Sequence, residues 1–127
     1  MEYVVFIILL ALAQYVYFTM RVGLARGKFG VKAPATSGNE SWERIYRVQQ
    51  NTLEQLVIFI PAMIAFSMYT SSRWVLLPGV VFLVGRQLYA MEYVKDPDSR
   101  TPGMALSLLS NVVLVIGALI GLALKLF

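Results

Sequence analysis

The 18 residues from Tyr3 to Met20 carry no formal charge, and only Gln14 and Thr19 interrupt them with clearly polar side chains. As a helix rising about 1.5 Å per residue, this run is ~27 Å long, close to the hydrocarbon thickness of a bilayer. A span of that length leaves the chain few soluble folds to choose from. Glu2 precedes the run, no Lys or Arg does, and no small-residue cleavage pattern follows Met20, so it reads as a helix that stays and not as a cleaved leader. The rest of the composition agrees: 58% of the 127 residues are apolar and 14% charged, against roughly a quarter charged in a soluble domain. Mean hydropathy is +0.68, too high for a small chain that must keep most side chains wet.

Three further apolar stretches follow, separated by breakers. Gly23 to Ser41 holds four glycines, Pro34 and the cations Arg26, Lys28 and Lys32, a composition that favours a wet loop. A helix is expected to start near Ser41 to Glu43 and reach about Tyr69, with Pro61 kinking it. Thr70 to Arg73 makes a turn, Trp74 is placed as an interfacial anchor, and a third helix should run to about Val94. Lys95 to Gly103, with two prolines and a glycine, reads as a loop before a fourth helix. In that last helix Gly117 and Gly121 are spaced to admit a neighbouring helix closely. The expectation is an all-α, integral membrane four-helix bundle, one domain over residues 1–127, with helices at about 3–24, 42–70, 74–95 and 104–125. Nine of the 11 basic residues lie in or toward the first and third loops, so both long loops are expected on the cytoplasmic side of a multi-pass protein, at the inner membrane for a bacterial chain.

The chain has no cysteine and no histidine. That removes thiolate and imidazole nucleophiles, Ser-His-Asp triads, disulfides and the common zinc sites; no metal and no nucleic-acid partner is expected. Polar residues nevertheless sit at membrane depth. Arg47, Asn51 and Glu54 share one face of the second helix, and Arg86, Tyr89 and Tyr93 one face of the third. Glu54 lies ~15 Å along its helix from Arg44, and Arg86 ~14 Å from Lys95, so both stripes reach a similar depth from the same side. Charges there cost on the order of 2.5 to 3.5 kcal/mol each and normally face a bundle interior. One reading is structural, an Arg47–Glu54 or Arg86–Glu54 ion pair that sets register. Against it stands the excess of cations over the single carboxylate, which suits a small zwitterion with more than one carboxylate, arginines taking the carboxylates and Glu54 an ammonium. Gln14, Asn111 and the serines of the fourth helix read as interhelical hydrogen-bond glue, and Tyr15, Tyr17, Phe18 and Tyr46 as an interfacial belt.

The run from Glu43 to Glu54, Glu-Arg-Ile-Tyr-Arg-Val-Gln-Gln-Asn-Thr-Leu-Glu, resembles the second-helix signature of the MAPEG family, the membrane-associated proteins of eicosanoid and glutathione metabolism. Tyr17-Phe18, Ala25-Arg26, Arg86-Gln87-Leu88-Tyr89, Tyr93 and Arg100 extend the likeness over most of the chain. The resemblance implies a homotrimer that binds glutathione as co-substrate between neighbouring subunits. Arg26, Arg47, Gln49, Asn51, Glu54, Arg86, Tyr89 and Tyr93 would hold the tripeptide, and Arg100 would stabilise its thiolate as the catalytic residue. Glutathione would then supply the nucleophile that the composition denies the protein. Two positions depart from the leukotriene-forming members, with Gln55 in place of a tyrosine and Gly27 in place of an arginine. The implied activity is a glutathione transferase acting on lipophilic electrophiles, with peroxides as a second class of acceptor. A non-catalytic lipid-binding scaffold, as in the lipoxygenase-activating members, and a small transporter subunit remain as alternatives.

Overall fold

The computed structural model describes every residue except Pro97, Ser99 and Arg100. Its four helices are α1 (Glu2–Phe29), α2 (Glu40–Tyr69), α3 (Leu76–Lys95) and α4 (Thr101–Leu126), and no strand occurs among the described residues. Helix α1 outlasts its expected end, passing through Gly23 and Gly27 to stop at Gly30, whose φ of 70° is left-handed. Each internal glycine costs about 1 kcal/mol relative to alanine. Packing offsets this: Val22 and Ala25 bury against Trp42 of α2 and Val31 of the loop, and Trp42 Nε1 donates to the Val22 carbonyl at 3.2 Å.

Helix α2 is capped by Asn39, whose side chain accepts from the Trp42 amide at 3.0 Å. It continues through Pro61 without a break. Ahead of α3, Ser71 Oγ accepts from the amides of Arg73 and Trp74 at 3.2 and 3.0 Å and so shapes the turn. Helix α4 starts three residues before its expected beginning. Pro102 stands in its first turn, where a missing N–H is harmless, and Gly103 is already packed on α3.

Three helices, α1, α2 and α4, are long and apolar enough to cross a membrane. Helix α3 forms close to its expected place but is less apolar, because Arg86, Gln87 and Glu92 interrupt its 20 residues. The bundle's main core joins all four helices through Val4, Phe59, Met63, Phe82 and Leu114, with the Phe59 and Phe82 rings stacked 3.9 Å apart. Its outer surface is apolar too, with Leu24, Val57, Trp74, Leu119 and Leu124 among many large side chains left exposed. An exterior of that kind suits a hydrocarbon solvent.

Glycines set the helix spacing. A Cβ on Gly103 would run into the Tyr89 amide and the Gly85 carbonyl, and one on Gly117 would enter the Phe66 ring. The glycine pair Gly117 and Gly121 therefore serves α2–α4 packing inside the subunit, where Thr70 Oγ1 donates to the Gly117 carbonyl at 2.6 Å. The polar glue forms as expected at Gln14, whose Nε2 donates to the Leu83 carbonyl at 3.1 Å, and at Asn111, whose Nδ2 donates to Gln55 Oε1 at 2.9 Å, whereas Ser110 donates to the Leu106 carbonyl of its own helix at 3.0 Å. Phe18 departs from the belt reading and lies in a core cluster with Val48, Tyr89 and Ala90.

Candidate functional site

Two helical faces meet toward the basic end of the bundle. From α2 come Arg47, Gln50, Asn51 and Glu54, spaced so that all four project from one side. Tyr89 and Tyr93 come from α3, and Met104 from the start of α4. Together they line an open cavity of about 330 Å³. The two phenol rings stack, centroids 5.3 Å apart and 10° from parallel, as one wall. Neither Arg47 nor Glu54 forms a hydrogen bond or ion pair with another described residue, so both charges are available to the cavity. The register-setting pairs Arg47–Glu54 and Arg86–Glu54 do not form; among the described residues the ion pair on this helix joins Arg44 to Glu40 at 2.7 Å.

Arg86 stands one layer behind. It is 1% exposed and does not line the cavity. Its Nη1 donates to Asn51 Oδ1 at 2.6 Å and to Thr52 Oγ1 at 3.5 Å, while Nη2 donates to Ser107 Oγ at 2.9 Å. Ser107 in turn donates to the Gly103 carbonyl at 2.9 Å. The guanidinium carbon lies 4.5 Å from the centre of the Tyr89 ring, and Nε has no acceptor among the described residues. All these partners are neutral. Because a guanidinium only donates, the amide oxygen of Asn51 must face it, and what Asn51 offers the cavity is its Nδ2 donors. Among the described residues the wall thus holds one cation, one anion, amide donors and two phenols, with a second cation behind them. That balance favours a ligand with one more carboxylate than ammonium.

The remaining expected residues lie elsewhere. Arg26 Nη1 donates to the Ala35 carbonyl at 2.8 Å, and its guanidinium lies over the Trp42 ring at 4.5 Å. Gln49 Nε2 donates to Thr19 Oγ1 at 3.1 Å. Both belong to the α1–α2 side of the subunit, not to the cavity. Arg100 is outside the described residues. Gln50 and Met104 are additions from the structure. Gln50 was discoverable, three residues after Arg47 on the same face; Met104 depends on where α4 starts. Gln55, at the position of departure, is turned to α4, where it accepts from Asn111.

The pattern of a MAPEG family model matches residues 4–120, a span that holds every candidate residue above. The chain belongs to the MAPEG family. Among relatives, an uncharacterized protein of Synechocystis sp. is 45% identical over 113 residues, 89% of this chain and 82% of the relative. Human microsomal glutathione S-transferase 2 is 34% identical over 115 residues, 91% of this chain and 78% of its own length. Bovine leukotriene C4 synthase is 31% identical over 114 residues, covering 90% and 76%. This MAPEG chain is therefore a membrane protein of a family that includes glutathione transferases.

Proposed function

We propose that the protein is a membrane-embedded glutathione transferase that conjugates the glutathione thiolate to lipophilic electrophiles, with glutathione-dependent peroxidase chemistry when the acceptor is a peroxide. The observation that carries the reading is the convergence of Arg47, Asn51, Glu54, Tyr89 and Tyr93 on one cavity whose charges are not spent on each other. Glutathione has two carboxylates, one ammonium and a thiol. Arg47 and the Asn51 amide suit a carboxylate, Glu54 suits the ammonium, and Arg86 contributes by fixing Asn51 and by its charge.

The lipophilic partner has a matching surface. The α2 face that carries Arg47 and Glu54 continues through Ile58, Pro61, Ala62 and Ala65 to Tyr69. There it meets Val115, Leu119 and Leu122 of α4 around an apolar cavity of about 370 Å³. One face of α2 thus turns from polar at Arg47 and Glu54 to apolar at Ile58 and beyond.

A homotrimer accounts for Arg26 and Gln49. They lie on the side of α2 away from the cavity, where one subunit would present them to its neighbour's Arg47–Glu54 face and so complete the glutathione site. Arg100 is assigned the catalytic role. A free thiol of pKa ~8.5 is about 3% ionised at pH 7, and reaching half ionisation requires its pKa to fall by about 1.5. One guanidinium within 4 to 6 Å supplies about that much. In conjugation to an aryl halide the thiol proton is lost to water, the carbon–sulfur bond forms and the halide leaves.

The test uses protein purified in detergent with glutathione and chlorodinitrobenzene. Turnover is expected, as is a thiolate absorbance when glutathione binds near neutral pH. Arg100→Ala should remove that absorbance while weakening binding much less. Saturable glutathione binding without turnover on any electrophile would favour the scaffold reading, and a thiolate signal unchanged in Arg100→Ala would pass the catalytic role to Tyr93.

A further inference from the structure

A second polar cavity lies away from the proposed glutathione site and shares no residue with it. It has a volume of about 450 Å³ and is lined by Arg21, Leu24 and Lys28 of α1, Ser41 and Ile45 of α2 and Val94 of α3. Among the described residues no acidic side chain lines it, and neither Arg21 nor Lys28 forms an ion pair with one of them. Arg21 is half-buried with its guanidinium 6.0 Å from the Tyr17 ring, and Lys28 Nζ lies 5.3 Å from the Phe29 ring.

The placement along α1 matters more than the charges themselves. Arg21 is the first charged residue after the uncharged run Tyr3–Met20, so it marks the edge of the hydrocarbon. Lys28 follows on the same face two turns later, ~10 Å farther toward water. Between them the wall is apolar. Thr19, bonded to Gln49, and Arg26 point away from Arg21 by roughly 140 to 160° around the helix.

We propose that this cavity binds the headgroup of an acidic membrane phospholipid, its phosphate held between Arg21 and Lys28, with the Ser41 hydroxyl as a further donor and the acyl chains descending along Leu24 and the α1 surface. A cation at the hydrocarbon boundary, a second one a headgroup's depth above it and an apolar wall between them match an amphiphilic anion, and a soluble anion has no use for the wall.

Native mass spectrometry of the detergent-solubilised protein tests this with three probes: phosphatidylglycerol, phosphatidylcholine with the same acyl chains, and glycerol 3-phosphate. Two basic contacts at a membrane surface, each worth about fivefold, predict about thirtyfold preferential retention of phosphatidylglycerol over phosphatidylcholine. Arg21→Gln combined with Lys28→Gln should abolish the preference, Lys28→Gln alone should reduce it about fivefold, and Arg73→Gln at the opposite end of the bundle should leave it intact. Where the double variant does not fold, the exposed Lys28 variant decides. Equal retention of the two lipids, a preference left at its full size by Lys28→Gln, or retention of glycerol 3-phosphate as strong as that of the lipid would overturn the proposal.

Discussion

Arg86 has a different job from Arg47, although both are arginines at similar depth. Arg47 offers its whole guanidinium to the cavity, whereas Arg86 uses both terminal nitrogens on protein oxygens. Substitution should separate the two roles. Losing one charge-assisted contact costs about 1.5 to 3 kcal/mol, so Arg47→Ala and Glu54→Gln should each weaken glutathione binding about ten- to a hundredfold by calorimetry, with little change in melting temperature. Arg86→Lys keeps the charge but lacks the fork that spans Asn51 and Ser107. It should lower the melting temperature and the affinity together; an affinity loss at unchanged stability would instead make Arg86 a direct ligand. The α2 stripe was legible in the sequence because spacings of three, four and seven put residues on one face whatever the helix packs against. That Arg86 turns inward was not, since Ser107 reaches it only through the way α3 and α4 pack.

That packing is an effect of whole elements, and glycine sets it. Gly85 and Gly103 let α3 and α4 touch backbone to backbone, with Gly103 fitted against the Tyr89 amide. Gly103→Ala should force the helices apart at a cost of about 1 to 3 kcal/mol, and because Tyr89 and Ser107 move with them, glutathione affinity should fall as well. Gly23 offers the contrast: it is helical with open space around it, so Gly23→Ala should gain about 0.5 to 1 kcal/mol. Thermal denaturation of the two variants checks both signs. The Gly117 and Gly121 pair was visible as a spacing within one helix. Gly85 and Gly103 belong to different helices, so no local pattern joins them. The end of α1 and the start of α4 differ from expectation for a related reason: Gly23, Gly27 and Gly103 break helices on local propensity, and burial of their neighbours against Trp42 or of Gly103 on α3 outweighs it.

At the scale of the whole molecule, the candidate residues divide between two sides of one subunit, Arg47, Asn51 and Glu54 on one and Arg26 and Gln49 on the other. The proposed trimer turns that division into an experiment. Subunits carrying Arg26→Ala and subunits carrying Glu54→Gln, each defective alone, should regain about a quarter of the wild-type sites when randomly co-assembled in a closed ring. Glutathione binding to the mixed protein measures this, and an absence of recovery would place both residues in a site within one subunit. The buried cation of α3 has a further consequence, one for biogenesis. A guanidinium near mid-membrane costs about 2.5 to 3.5 kcal/mol during insertion, and α3 is the helix without a sufficiently apolar window. Its acceptors are on α2 and α4, one already synthesised and one still to come. Helix α3 should therefore stall at the surface as it leaves the translocon and enter the bilayer as a hairpin with α4. Chains truncated before Thr101 should leave α3 accessible to protease where the full-length chain protects it, and Arg86→Leu should let the truncated helix enter alone.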